Sequence, residues 1–149
     1  MKKIIPLLIA IVLTGQLYAQ QPLTTNQQAV QQTVIKMFDA LSNRDSTSLK
    51  IYCAADIALY ENGQAWNIDT LINKAIVLNT APDFQRTNTF NFINTTVNKD
   101  VAWVTYNLSS TFLMNGKQGL VQWMETVVLV AEKERWKIKV LHSTLIKRS

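Results

Sequence analysis

Asn115-Gly116, set between two long runs of alternating apolar and polar residues, is the feature that most restricts how this chain folds. A two-residue type I′ turn needs positive φ at both central positions, and Asn-Gly adopts it at little cost. The turn pairs Met114 with Lys117, which sets Phe112 opposite Gly119, Leu108 opposite Trp123, Tyr106 opposite Glu125 and Val104 opposite Val127. A second two-residue loop at Lys133-Glu134 sets Ala131 opposite Trp136, Leu129 opposite Ile138, Val127 opposite Val140, Glu125 opposite His142 and Trp123 opposite Thr144. The two registers come from separate turns, yet both put the same apolar set on one face, Ala102, Val104, Leu108, Trp123, Val127 and Leu129 among it. A polar row of Tyr106, Glu125 and His142 crosses that face. It is the strongest functional pointer in the chain.

The first 19 residues read as an export signal. Lys2 and Lys3 form the basic start, Ile4 to Leu13 the apolar stretch, and Leu17-Tyr18-Ala19 the small-residue site, with cleavage expected after Ala19. The apolar run falls short of the roughly 18 residues a membrane span needs, so no stable membrane anchor is expected after cleavage. Residues 20–149 then form one domain of 130 residues, enough for a substantial core and too few for two. Thirteen basic residues remain against ten acidic ones, a mild charge of +3. They are scattered, without a dense patch interleaved with aromatics, which argues against nucleic-acid binding. A lone cysteine, Cys53, excludes an internal disulfide and reads as a small buried hydrophobe. The expected location is periplasmic or secreted.

Between Asn26 and Ser42 the apolar residues Ala29, Val30, Val34, Met37, Phe38 and Leu41 recur at helical spacing, with Gln27, Gln28, Gln31, Gln32 and Lys36 opposite. Asp45 suits the N-cap of a short second helix through Leu49 and Tyr52. Ile57 to Glu61 reads as a strand turned at Asn62-Gly63, and Asp69 as the cap of a third helix running to Leu78 and stopped by Pro82. Beyond Asp83 four strands are expected, near Phe84 to Val97, Val101 to Met114, Lys117 to Glu132 and Arg135 to Lys147. Strands this long exceed the usual ~3 to 10 residues, so strong curvature or a bulge is expected in them. For the first hairpin a three-residue Asn98-Lys99-Asp100 loop, which turns Phe90, Phe92 and Asn94 inward, is preferred over a two-residue loop that turns Asn91, Ile93 and Thr95 inward. The preference rests on the more apolar face.

Helices gathered in the first half and a meander in the second make an α+β arrangement in which a curved antiparallel sheet wraps around N-terminal helices to form a cone. The order and spacing of Asp45, Asp100-Val-Ala-Trp-Val104, Glu125-Thr126 with Val128, and Trp136-Lys-Ile138 through His142-Ser143 resemble a nuclear transport factor 2-like domain. The resemblance lies with the SnoaL-like branch that includes polyketide cyclase relatives, and covers nearly the whole mature chain. Where close relatives turn with Asp-Gly before the last Trp, this chain has Glu134-Arg135. The resemblance implies an α+β barrel with a pocket at its open end and a homodimer formed through the outer sheet face. That face is expected to carry Met124, Thr126, Val128, Val130, Leu141, Ser143 and Leu145 beside Lys137 and Lys139, more apolar than a solvated face should be.

Within such a pocket the expected ligand contacts are Tyr106, Leu108, Trp123, Glu125, Val127, Val140, His142 and Thr144, around a small apolar or amphipathic molecule. Trp136 is expected with Trp123 at the pocket floor. A carboxylate beside an imidazole, with a phenol in reach, suits proton transfer next to a carbonyl. Glu125 and His142 are thus candidate acid–base residues, with Tyr106 as hydrogen-bond donor, for a cofactor-free lyase, isomerase or cyclase. The same three groups also read as buried polar side chains that satisfy one another or a ligand. A third reading is a protein-interaction module, like the association domain of calmodulin-dependent kinase within this fold. No metal site, cofactor motif, nucleophile elbow or phosphate loop is expected from the residues present.

Overall fold

Thr24 begins the first helix with a reciprocal cap: its Oγ1 accepts from Gln27 N at 3.3 Å, and Gln27 Oε1 accepts from Thr24 N at 2.8 Å. The computed structural model describes residues 22–149; the expected leader and its cleavage site lie outside them. Helix α1 (Thr25–Ser42) buries Val30, Val34, Met37, Phe38 and Leu41, the stripe read from the sequence. Its glutamine face is not wholly left to solvent, because Gln27 and Gln31 donate to the carbonyl and hydroxyl oxygens of Thr95, each at 2.8 Å. Asp45 caps α2 (Ser46–Tyr52) by accepting from Thr47 N and Ser48 N, as expected. The third cap is Asn67 rather than Asp69, and α3 (Ile68–Ile72) is a single turn. It widens into a π-type turn over Asn73–Val77, closed by Leu78 N donating to Asn73 O at 2.9 Å.

Strands β1 (Cys53–Glu61), β2 (Gln64–Trp66), β3 (Gln85–Asn98), β4 (Val101–Met114), β5 (Lys117–Glu132) and β6 (Arg135–Arg148) form one sheet in the order β2-β1-β6-β5-β4-β3. The curved sheet is open, with β2 and β3 at its edges, and α1 lies across its concave side. The meander β3 to β6 is antiparallel. Pairing of β1 with β6 is parallel, which local turn chemistry gives no means of reading. Three two-residue turns close the meander at Lys99-Asp100, Asn115-Gly116 and Lys133-Glu134. Asp83 fastens the middle one, its carboxylate oxygens accepting from Asn115 N at 2.7 Å and Gly116 N at 2.6 Å. Lys133 and Glu134 hold positive φ of 47° and 64° without glycine or asparagine, so the last turn is the strained one.

The β4–β5 register is the one set by Asn115-Gly116, from Met114↔Lys117 through Tyr106↔Glu125 to Val104↔Val127. The β5–β6 register begins as expected, at Ala131↔Trp136 and Leu129↔Ile138, and then slips by one residue. Lys139 is the extra residue, bulged between Ile138 and Val140, and the next pairs are Val128↔Val140, Val127↔Leu141, Thr126↔His142 and Glu125↔Ser143. Side chains alternate with period two, so a one-residue slip exchanges the faces of all that follows. The expectation that Val140, His142 and Thr144 face the concave side is therefore corrected: Leu141 and Ser143 are buried there, while Val140, His142 and Thr144 pair with the outward residues Val128, Thr126 and Met124. Neighbouring β1 bulges at the same level, between Cys53 and Ala58, and its Asp56 forms an ion pair with Lys139.

A comparable slip reconciles the two options for β3. The loop is the two-residue one, so Thr95 is buried; the preferred three-residue loop is corrected. A bulge at Ile93 then resets the strand and pairs Phe92 with Tyr106 and Phe90 with Leu108, turning both phenylalanines inward and leaving Asn94 exposed. Phe90 and Phe92 stack at 5.7 Å and present edges or faces to Tyr106 at 5.5 and 5.6 Å, with Phe38 of α1 closing on Phe90 at 5.5 Å. This cluster joins helix to sheet, each such pair adding about 0.5–1.5 kcal/mol beyond its burial.

The slip at Lys139 can be checked by thiol labelling. Native Cys53 is buried, with its thiol pushed up to about 12 by burial, so the background is silent. His142→Cys is expected to react with a maleimide as fast as a free thiol, and Ser143→Cys only on unfolding. The reverse pattern would restore the unslipped register.

Candidate functional site

Above the aromatic cluster, the open end of the cone holds a cavity of about 230 Å³. Its wall is formed by Phe38 and Leu41 of α1, Leu71 of α3, Leu108 and Phe112 of β4, and Leu141 of β6, with Glu61, Asn62, Trp66 and Arg148 also lining it. Trp123 and Glu125 of β5 and Arg86 of β3 bring polar atoms into this apolar wall. Alternation places them: Arg86↔Phe112, Leu108↔Trp123 and Tyr106↔Glu125 are inward pairs on adjacent strands.

Glu125 is 4% exposed. Ser143 Oγ donates to its Oε1 at 2.8 Å, whereas Oε2 has no protein partner. Burial is the main reason its carboxyl pKa rises from 4.5 to about 7. The Glu61 carboxylate pushes the same way, while the Tyr106 and Ser143 hydroxyls and the Arg86 charge hold the rise back. Tyr106, fully buried, faces Glu125 from the next strand without closing a hydrogen bond of acceptable geometry. Burial, then the Glu125 charge, drives its phenol pKa well above 10, so it is a neutral donor at any physiological pH. Trp123 Nε1 is likewise buried with no partner.

The sequence places Tyr106, Leu108, Trp123, Glu125 and Val127 on the concave face, and all five are buried. Leu108, Trp123 and Glu125 reach the cavity; Tyr106 and Val127 sit one layer behind its wall. His142 is not brought together with Glu125: it is exposed on the convex face, its ring 6.4 Å from that of Tyr60. Val140 and Thr144 are also on that side, and Trp136 borders a separate surface groove with Ile51 and Tyr52. Three cavity residues were missed. Arg86 follows from extending the inward alternation of Phe92 and Phe90 through Asn88. Leu141 and Ser143 were assigned to the outer face, and the adjacent apolar pair Val140-Leu141, which breaks the period of two, is the signal of the bulge that moves them. Among the described residues no three His, Cys, Asp or Glu side chains lie close enough to hold a metal ion. No described helix is long and apolar enough to cross a membrane.

No curated protein matches the sequence. Solved structures do, at low identity. A nuclear transport factor 2-like protein from Cytophaga hutchinsonii superposes with a TM-score of 0.70 at 15% identity, over 83% of this chain and 100% of that one. The CamKII hub homology domain of Chlamydomonas reinhardtii gives 0.70 at 18% identity, over 83% and 100%. A type 2 hexachlorocyclohexane dehydrochlorinase gives 0.67 at 12% identity, over 83% and 87%. Such likenesses show a shared nuclear transport factor 2-like fold, and a fold by itself hosts many activities. The family model of the SnoaL-like domain, however, matches residues 30–146, most of the sequence, and the chain therefore belongs to the SnoaL-like family.

Proposed function

We propose that this protein is an exported domain that holds a small, mainly apolar molecule in the cavity between α1 and the concave sheet. The observation that carries the reading is an unfilled, apolar-walled space of about 230 Å³ whose wall contains two buried polar atoms without protein partners, Glu125 Oε2 and Trp123 Nε1. An unsatisfied buried donor or acceptor costs about 1–3 kcal/mol, which a ligand that bonds to it removes. The space is not packed by the protein's own side chains, which weighs for a ligand over a module that acts only by binding proteins. Export is supported by the leader pattern of residues 1–19. The test is native mass spectrometry of protein from its own host, beside an Ala75→Phe variant that fills the cavity from its partly exposed rim. Wild type is expected to carry a non-covalent mass that Ala75→Phe lacks; identical spectra together with an absence of ligand-induced thermal shifts sink the reading.

A second reading is favoured by the Glu125 pKa of about 7. A carboxyl group poised at neutrality both gives and takes a proton, as a cofactor-free lyase or isomerase acting beside a carbonyl requires. In this reading Glu125 works without His142, and Tyr106 supports it from behind. A dehydrochlorinase among the similar folds shows that the architecture accommodates elimination chemistry. On any substrate turned over, Glu125→Gln is expected to lower kcat by at least about 100-fold, a typical general acid–base contribution. Unchanged turnover removes the catalytic version and leaves the binding one.

Glu125 also makes a prediction that needs no substrate. A carboxyl whose folded pKa is raised stabilises the fold fully below its ordinary value of 4.5, and that contribution is lost as pH rises through about 7. The exposed carboxylates with lowered pKa, Asp45, Asp56 and Asp83, act only at the acid end and leave this window alone. Wild-type Tm should fall between those two pH values, and Glu125→Gln should flatten the fall. The difference in unfolding free energy on the alkaline side is expected to be on the order of 3 kcal/mol.

Dimerisation through the convex face belongs to the same proposal. Val101, Trp103 and Met124 are exposed there beside Val128, Val130 and Val140, an apolar surface uncommon on a solvated sheet. Sedimentation is expected to give a dimer for wild type and a folded monomer for Trp103→Glu. A wild-type monomer at micromolar concentration ends that part of the proposal.

A further inference from the structure

Arg86 enters the cavity wall with its charge uncompensated by any close carboxylate. Its Nε donates to Asn88 Oδ1 at 2.8 Å and its Nη2 to Ser110 Oγ at 3.1 Å. Those two are themselves locked, Ser110 Oγ donating to Asn88 Oδ1 at 2.7 Å and Asn88 Nδ2 to Ser42 Oγ at 2.9 Å. The guanidinium carbon lies 5.2 Å from the Phe38 ring centroid, 5.1 Å from that of Phe112 and 5.9 Å from that of Trp123. The group is thus held by a polar network and three aromatic rings, a degree of fixation that a solvent-facing arginine lacks. Burial pulls its pKa down only to about 10, so it is charged at neutral pH.

Among the described residues Nη1 donates to no protein group, and no carboxylate lies within 4.0 Å of the guanidinium. Nearby, Trp123 Nε1–H is an unused donor, and Glu125 Oε2 becomes one whenever the carboxyl is protonated. The unused polar groups of this wall are therefore donors, grouped around a fixed cation, while the remaining wall at Leu71, Leu108 and Leu141 is aliphatic. A neutral apolar guest would leave the cation and both donors unmet. A carboxylate accepts from a planar guanidinium edge with matching geometry and brings the opposite charge.

We infer that the molecule bound in this cavity is a small organic carboxylate, its anionic head on Arg86 Nη1 and Trp123 Nε1 and its hydrocarbon body among Leu71, Leu108 and Leu141. The inference rests on the ligand-binding reading above and adds the charge and polarity of the ligand. A cavity of about 230 Å³ lies below the ~300 Å³ at which drug-sized pockets begin, so the guest is compact. Glu125 then acts as a gate on charge. Protonated, it donates to the carboxylate; ionised, it repels it. The charged and titratable groups facing Glu125 are Tyr106, which stays neutral, Arg86, and Glu61 and Arg148 of the cavity lining.

The test is calorimetric titration of the purified protein with matched pairs, benzoate against benzamide and phenylacetate against phenylacetamide, below the Glu125 pKa of about 7. Each acid is expected to bind at least about ten-fold more tightly than its amide. In Arg86→Gln the acid loses that advantage, and in Arg86→Lys, which keeps the charge without the fork, it retains part of it. Should Arg86→Gln fail to fold, the pH profile decides: benzoate affinity falls towards ten-fold per unit above the Glu125 pKa in wild type and stays level in Glu125→Gln. Amides binding as tightly as acids overturn the carboxylate inference and leave the pocket reading intact. Binding of neither at millimolar concentration overturns both.

Discussion

Glu125 is shut inside an apolar wall with one carboxyl oxygen bonded to Ser143 and the other bonded to nothing, and the arrangement of the concave face turns on that burial. Desolvation disfavours its charge, which moves its proton affinity into the physiological range. The same low-polarity surroundings leave Arg86 in need of a counter-charge and Trp123 Nε1 in need of an acceptor. A core built for stability alone would be expected to close such gaps, since half-satisfied polar groups are worse than apolar ones. Their concentration at one cavity, with the rest of the core apolar, separates the working part of the molecule from its scaffold.

The scaffold does its part by rigidity. Phe38, Phe90, Phe92 and Tyr106 interlock helix and sheet below the cavity, and Asn88, Ser110 and Ser42 tie the Arg86 side chain to two strands and to the end of α1. Polar atoms in the wall are thereby fixed before any guest arrives. Preorganisation of this kind lets a small cavity discriminate by charge with few contacts.

Much of the architecture was legible because local chemistry dictated it. Asn115-Gly116 admits one turn, and the β4–β5 pairing followed residue for residue. Thr24, Asp45 and the Val30-Val34-Met37-Leu41 stripe placed the helices through capping and spacing. What failed depended on contacts distant in sequence. Asn67 outcompeted Asp69 as a cap, and the parallel docking of β1 on β6 has no turn to announce it. His142 was lost from the site because register errors propagate: one extra residue at 139 displaced every later side chain by a face. Glu125, Trp123 and Leu108 survived because they lie between the well-determined turn and the first slip. Arg86 was overlooked because attention fell on the central strands, although the inward row of β3 runs straight to it.

The bulge at Lys139 makes the last strand a frame-sensitive element. Gain or loss of a single codon there would swap the solvent and interior complements of residues 140 to 144 while leaving the backbone path nearly the same. Sequence alignments of relatives drawn without a gap at this point will equate an interior serine with a surface histidine, and will mistake a difference of phase for a difference of chemistry.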